Sequence, residues 1–395
     1  MLELICGLQV YQRLYQVFLV DGGVIFGDVT CHYFPAGMAI INGHSPYDSP
    51  FITHPPLMLL LFAAAVYVHP APYSIGILIM CTYFLLPPLA LVTALQRLSE
   101  RLSVLTAWVV TLNPLTTHGF VVLIDDDVII MLGLLVVVCL YPRHRVASSL
   151  AAAIFGGMKF VPLLAGVFLV MLDKNTCLAC RLRLLCLQAV VFSCIMVLGT
   201  ALWGSVTLTR LLHYTSYVKI DYPAMNPYYV LFVFCHVPEY LLRLASGVAA
   251  AVLVSAYFLF RRRSQGEGPD WTVLDATVAC VVVLLGNVET SYMYYSWLIP
   301  LASLVALGAL AQKRIVTSLC LLIECVVFGY LASEWAYYTW AYGESFLVWA
   351  YVASCIAPFV LLCVLAVACT SRTQQDAGSV TFKRTMQWEG VVGVR

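Results

Sequence analysis

Apolar runs recur along almost the whole chain, at about residues 2–20, 56–69, 73–95, 103–113, 128–141, 147–172, 184–203, 229–260, 271–288, 295–311, 315–332 and 346–369. Of 395 residues, 62% are hydrophobic and only 10% charged, against about 45–50% apolar and about 25% charged in an average soluble domain. A soluble fold of this composition would need several cores made of helices that are apolar all round. A bilayer core about 30 Å thick instead takes about 20 apolar residues per crossing. The chain therefore reads as an all-α, polytopic integral membrane protein, a bundle of about 9–12 transmembrane helices. A single multi-pass domain is expected over 1–370, with a first outer loop at about 21–55 and a polar, disordered cytoplasmic tail over 371–395.

Not every run is a simple crossing. Runs 56–69 and 103–113 are short, and Gly156, Gly157, Lys159 and Pro162 divide 147–172 into two half-helices. Gln9, Gln12, Arg13 and Gln16 make the first run poor membrane material. No small-residue cleavage site follows it, so a cleaved signal peptide is not expected.

Basic residues set the expected orientation. They cluster at Arg97/Arg101, Arg143/Arg145, Lys174/Arg181/Arg183, Arg261–Arg263, Lys313/Arg314 and in the tail, ends that should be cytoplasmic. The opposite ends are 21–55, 114–127, 204–228, about 287–294 and 333–345, rich in Tyr, Trp, His, Asp, Asn and Pro. Two crossings between 56 and 95 would return the chain to the outside before Arg97, unless one of those segments is re-entrant. The net charge of +1 gives no footprint for a nucleic-acid partner. Most of the 15 cysteines lie inside apolar runs, where Cys behaves as a small hydrophobe. Cys177 and Cys180 form one CxxC in a basic loop, with no second CxxC or nearby His to complete a zinc set.

Four polar features stand out against this background. The first outer loop carries Asp21, Asp28, His32, Tyr33, His44, Tyr47, Asp48 and His54 around an amphipathic stretch from Tyr33 to Ile41. It is either a solvated loop lying on the lipid or the place where an aspartate takes a proton from an acceptor hydroxyl. Asp125, Asp126 and Asp127 directly precede an apolar run. Each would cost about 2.5–3.5 kcal/mol at a helix centre, so they belong at the interface or in a wet cavity. A helix N-terminus accounts for one or two of them. Asp125 and Asp127 also form a DxD that suits a divalent cation such as Mg or Mn, and crowding could instead raise one carboxyl and hold a proton.

The third feature is cationic: Lys159 inside an apolar stretch, with Arg210, His213 and Lys219 in the outer segment 204–228. Such donors suit an anionic lipid phosphate, although snorkelling explains Lys219. His236, Glu239 and Arg243 share a helix face, as a buried polar pairing between helices would. The fourth is GNVETSYMYYSWLIP at 286–300, with Asn287, Glu289, Tyr292, Tyr294, Tyr295 and Trp297. An aromatic belt accounts for its rings but not for Glu289. Glu324 is a separate intramembrane acid.

The order of these pieces resembles the GT-C superfamily of multi-spanning glycosyltransferases, closest to GT87-type, polyprenol-phosphate-mannose-dependent mannosyltransferases. The likeness is carried by Asp28 followed by Tyr33, then NGHSPYD and HPPL, then LNPLTTHGF at 112–120, GGMKFVPLL at 156–164, MNPYY at 225–229 and ETSYMYYSWLIP at 289–300, over most of residues 20–310. The family's Gly-Gln pair after the Asn-Pro segment is absent, Gly119 and the aspartate triplet standing in its place.

The resemblance implies inverting transfer of a hexose, mannose favoured, from a polyprenyl- or dolichyl-phosphate donor to a hydroxyl of a glycan or glycolipid acceptor. It places the reaction on the extracytoplasmic face of the plasma membrane in a prokaryote or of the endoplasmic reticulum in a eukaryote. Asp28 matches the general base, with Asp21 as the fallback. Lys159, Arg210, His213 and Arg243 are the candidates for the donor phosphate. Tyr33, His44, Tyr47, Asp125, Asp126, Asp127, Asn226, Glu289, Tyr292 and Tyr295 are those for the sugar and acceptor. A lipid phosphate leaves readily, so the site needs cations to hold the departing charge rather than a general acid. The alternatives are a secondary transporter using intramembrane carboxylates and a lipid-linked glycan ligase or polymerase.

Overall fold

The computed structural model describes residues 8, 12, 28–49, 52–117, 125–212, 228, 231–232, 235–263, 271–287, 292–312, 318 and 322, and every regular element among them is helical. A π-turn, Val29–Tyr33, runs directly into α1 (Phe34–Ile41), and a 3-10 turn at Pro46–Asp48 leads to α2 (Pro56–Val68). Then come α3 (Pro72–Phe84), α4 (Leu86–Leu95) and α5 (Glu100–Leu112), followed by the single turn Pro114–Thr117. The middle of the chain forms α6 (Asp127–Leu140), α7 (Arg145–Gly156), α8 (Phe160–Leu172), α9 (Leu178–Trp203) and α10 (Val206–Leu212). The last described helices are α11 (Glu239–Arg263), α12 (Trp271–Gly286) and, after a 3-10 segment at Tyr292–Trp297, α13 (Leu298–Ala311).

Local chemistry sets these boundaries. Prolines occupy the first turn of α2, α3 and α4, where a missing N–H costs nothing and the fixed φ suits a helix. Pro87 and Pro88 bend the 72–95 rod at Leu85 rather than ending it. The expected break in 147–172 falls at Gly157–Lys159, between α7 and α8. The run at 229–260 is interrupted at 236–238, where His236 has a φ of 52° in the left-handed region, and α11 starts at Glu239.

Among the described residues, four segments are long and apolar enough to cross a bilayer: Pro72–Leu95, Leu178–Trp203, Glu239–Arg262 and Tyr294–Ala311. With the shorter apolar helices around them they give a helical membrane protein. The first run, the runs at 315–332 and 346–369 and the tail lie outside the described residues, apart from isolated positions.

Helix α6 is the axis of the bundle. Its sequence is apolar on every face, and a helix of that kind must be covered on every side. Ten of its fourteen residues are buried, from Asp127 through Val138. It packs against α4, α7, α8 and α3, and the 3-10 segment Tyr292–Trp297 lies along it. Small residues allow the close approaches. Gly166 of α8 sits where a methyl group would collide with Ala152 of α7 and stand 3.1 Å from Gln188 Nε2 of α9. Gln188 in turn donates to Ser149 Oγ at 3.2 Å, tying α9 to α7.

The two ends of α6 differ chemically. At its C-terminal end Arg97 donates to the Val138 carbonyl (2.8 Å), Arg145 pairs with Asp173 (3.0 Å) and Lys174 donates to the Arg262 carbonyl (3.2 Å). Arg261 pairs there with buried Asp275 (3.3 Å) and lies over the Trp271 ring. The sequence-distant basic clusters thus gather at one end. At the other end His54 meets the aspartates. His54 and Arg97 therefore lie at opposite ends of α6, and the α3–α4 rod between them in sequence is long and apolar enough to cross a bilayer.

Replacing Gly166 by Leu should lower thermal stability in detergent by about 1–3 kcal/mol, the cost of overpacking a tight crossing. Gly247→Ala, in an exposed helix interior where no atom lies within 4 Å of the added carbon, should instead hold or slightly raise the melting temperature, through about 0.4–1 kcal/mol of helix propensity.

Candidate functional site

Three separate stretches of sequence converge at the N-terminal end of α6. The first loop supplies Tyr33 and His54, the start of α6 supplies Asp125, Asp126 and Asp127, and the start of α8 supplies Lys159. Four helices, α2, α6, α8 and α13, begin at this point, and their N-terminal ends carry partial positive charge that favours carboxylates.

Asp126 is the hub. It is 1% exposed; its Oδ1 accepts the Tyr33 hydroxyl at 3.0 Å, and its Oδ2 lies 3.1 Å from His54 Nε2. Lys159 Nζ is 3.6 Å from Asp126 Oδ1 and 2.5 Å from Asp127 Oδ1. The ammonium is also held against two aromatic faces, 4.7 Å from the Tyr294 ring centre and 5.4 Å from that of Trp297. Asp125 accepts the Asp127 N–H at 3.1 Å, which closes the turn that starts α6.

Local sequence explains how each part is held. The Tyr33 ring stacks on Phe62 of α2, centres 4.6 Å apart, and meets His54 edge-on. His54 is fixed through its own carbonyl, which accepts the Tyr47 hydroxyl at 2.8 Å. Tyr47 is itself buried against Trp203 at the end of α9. Lys159 is the extended residue just before α8, where the Gly156–Gly157 break turns it toward α6. The Leu57 N–H donates to the Gly157 carbonyl at 3.0 Å, which joins the break to α2.

Electrostatics separate two of the carboxyls just outside α6. Burial alone would raise Asp126, but Lys159 and His54 hold it well below the usual carboxylate range. Burial, with Asp127 and Asp126 beside it, pushes the Asp125 carboxyl well above that range. Two neighbouring acids driven in opposite directions can hold one proton and one charge, the arrangement from which acid and base roles arise. Asp127 Oδ2 and Trp297 Nε1 are both buried without a hydrogen-bond partner.

Asp28 sits at the rim. Its side chain is 53% exposed, with His32 Nε2 at 3.7 Å, and its charge acts on both Tyr33 and Asp125. The acid marked by the sequence is therefore at the exposed edge of the buried network, neither within it nor remote from it.

Several other expectations need revision. Lys159 does not stand free for a phosphate: its ammonium is committed to Asp126 and Asp127. Arg243 is paired with Glu239 of its own helix at 2.5 Å, and both are partly exposed. His44 is exposed and bonded only through its backbone to Ala39, away from the cluster. Tyr47 acts one step removed, through the His54 carbonyl. Arg210 lies on α10, which rests on the Pro46–Asp48 turn. Tyr295 is buried, and it is Tyr294 and Trp297 that reach Lys159. Asp21, His213, Asn226, Glu289 and Glu324 lie outside the described residues, as does the Tyr292 side chain. His54 and Phe62 carry more of the site than their sequence context suggested; the signal for His54 was its place immediately before the two prolines that start α2.

The carboxylate oxygens of Asp125, Asp126 and Asp127 lie within 4.8 Å of one another, a spacing that a divalent cation accepts, with the Lys159 ammonium already among them. Compared with known proteins, the chain matches no family profile, no curated protein and no solved structure.

Removing the ammonium would leave buried carboxylates uncompensated. Lys159→Met should destabilise the detergent-solubilised protein by about 3–5 kcal/mol, and Lys159→Met combined with Asp127→Asn should recover part of that loss. Equal melting temperatures for Lys159→Met and wild type would show that the pair is not holding the bundle.

Proposed function

We propose that the protein is a membrane glycosyltransferase that moves a hexose, mannose favoured, from a polyprenyl- or dolichyl-phosphate carrier to a hydroxyl of a glycan or glycolipid, with inversion. The observation that supports it best is the joining of the first loop to the aspartate end of α6 through Tyr33 and His54, with Asp28 at the exposed rim of that junction. The ordered likeness to GT-C enzymes points to the same loop.

In this reading Asp28 takes the proton from the acceptor hydroxyl as that oxygen attacks the anomeric carbon and the lipid phosphate departs on the opposite face. Its partial exposure lets an acceptor approach from water, while the buried network fixes the backbone that carries it. The sugar acquires oxocarbenium character in such a transfer. An acid-rich floor of Asp125, Asp126 and Asp127 with a single ammonium stabilises that developing positive charge. The same floor repels a phosphate, so the donor's anion belongs against cations elsewhere, with Arg210, His213 and Arg243 as the candidates. Lys159 takes the place that a metal would fill at the triplet, and transfer needs no added Mg or Mn. The basic end of the bundle then faces the cytoplasm and the Asp28 end the extracytoplasmic side of the membrane.

One observation favours a second reading. A buried ammonium among three carboxylates, with Asp125 pushed up beside a charged Asp126, is also an arrangement in which a proton-coupled transporter stores its proton.

Transfer of radiolabelled sugar from polyprenyl-phosphate mannose in membranes separates the two. Asp28→Asn should reduce transfer by about 10²–10⁴-fold, the usual contribution of a general base, without loss of folded protein, and chelation with EDTA should leave wild-type transfer unchanged. Full transfer by Asp28→Asn removes that residue as the base. Absence of transfer from any lipid-linked sugar, alongside proton-driven uptake by wild type, establishes the transporter instead.

A further inference from the structure

At the opposite end of the bundle, Cys177 and Cys180 are unconnected to the aspartate network. They flank the start of α9 in the sequence CLAC. Cys177 is the residue before the helix, extended at φ −63° and ψ 154°, and its Sγ accepts the Cys180 N–H at 3.3 Å. The two sulfurs are 2.8 Å apart and both residues are exposed. A disulfide needs an S–S separation of about 2.05 Å, so a sub-ångström closure of the side chains joins them.

The surroundings favour a reactive thiolate. The first turn of α9 presents its N–H groups to Cys177, and a helix N-terminus stabilises an anion there. Hydrogen bonding from Cys180 holds the Cys177 thiol below its ordinary value, and Arg183 adds in the same direction. Arg181, bonded to the Thr176 and Met171 carbonyls, anchors this turn to the preceding loop. A capping role alone would use one acceptor and has no need of a second sulfur in contact. Among the described residues the only set of three or more metal-ligating side chains is the distant aspartate triplet, so no further ligand completes a metal site around the two sulfurs.

We propose that Cys177 and Cys180 form a reversible dithiol–disulfide couple that exchanges with a small disulfide of the glutathione class, Cys177 attacking and Cys180 resolving. The Cys177 thiolate attacks one sulfur of the small disulfide, forming a mixed disulfide and releasing one small thiolate. Cys180, losing its proton, then attacks Sγ of Cys177 and expels the second small thiolate. Two protein thiols are oxidised, one small disulfide is reduced to two thiols, and the two protons pass to the departing sulfurs.

The test uses the full-length protein in detergent micelles, equilibrated in a series of reduced and oxidised glutathione ratios, quenched in acid, alkylated with N-ethylmaleimide and mapped by peptide mass spectrometry. The wild-type peptide containing both residues should pass from doubly alkylated to internally disulfide-bonded as the buffer becomes oxidising. Cys180→Ser should stop at a glutathione adduct on Cys177, and Cys177→Ser should form at least ~10-fold less adduct on Cys180. Serine also caps helices, so both variants should elute like wild type on size exclusion, which keeps the comparison valid. The proposal is overturned if both thiols stay alkylatable throughout, if the adduct forms preferentially on Cys180, or if a chelator-removable metal is what protects them.

Discussion

The ammonium of Lys159 among the carboxylates of Asp126 and Asp127 is the contact on which the arrangement of this bundle depends. Charges in an apolar surround are tolerated only when they are paired and bonded. Pairing here fixes the start of α8 against the start of α6, and the two oxygens of Asp126 also meet Tyr33 and His54 from the first loop. One buried interaction therefore registers three parts of the chain that are far apart in sequence. The wall of Tyr294 and Trp297 around the ammonium adds a fourth.

The bundle separates its polar chemistry into two ends. Arginines and lysines meet carbonyls and single carboxylates at the C-terminal end of α6. The other end gathers more acid than base and pushes the Asp125 carboxyl up. An apolar chain has little reason to retain an unbalanced acidic group unless something else makes use of its charge or its proton. That asymmetry makes the aspartate end the candidate site for either the proposed transferase or the proposed transporter reading.

Much of this was legible in the residues themselves. The apolar runs marked nearly every described helix, the Gly-Gly-x-Lys break fell where α7 gives way to α8, and the basic clusters among the described residues gathered at one end. The first loop and the aspartate triplet were both recognisable as exceptional. Their connection was not, because nothing in local pattern tells which lysine meets which carboxylate across more than thirty residues. Lys159 was for that reason read as a cation for the donor's phosphate, when its charge is paired within the protein. His54 was visible in the first loop but not assigned to the site, because nothing local ties its ring to Asp126.

Composition and periodicity by themselves determined a helical membrane protein, because so many apolar side chains cannot be buried in any other way. They also determined where its helices begin, through prolines and glycines that act within one turn. Tertiary structure alone decided that the triplet's charge is met by Lys159, that Asp28 stands at the rim and that His54 and Arg97 lie at opposite ends of α6. Those outcomes come from long-range packing and charge pairing, whose energies depend on distance in space and leave no period in the sequence.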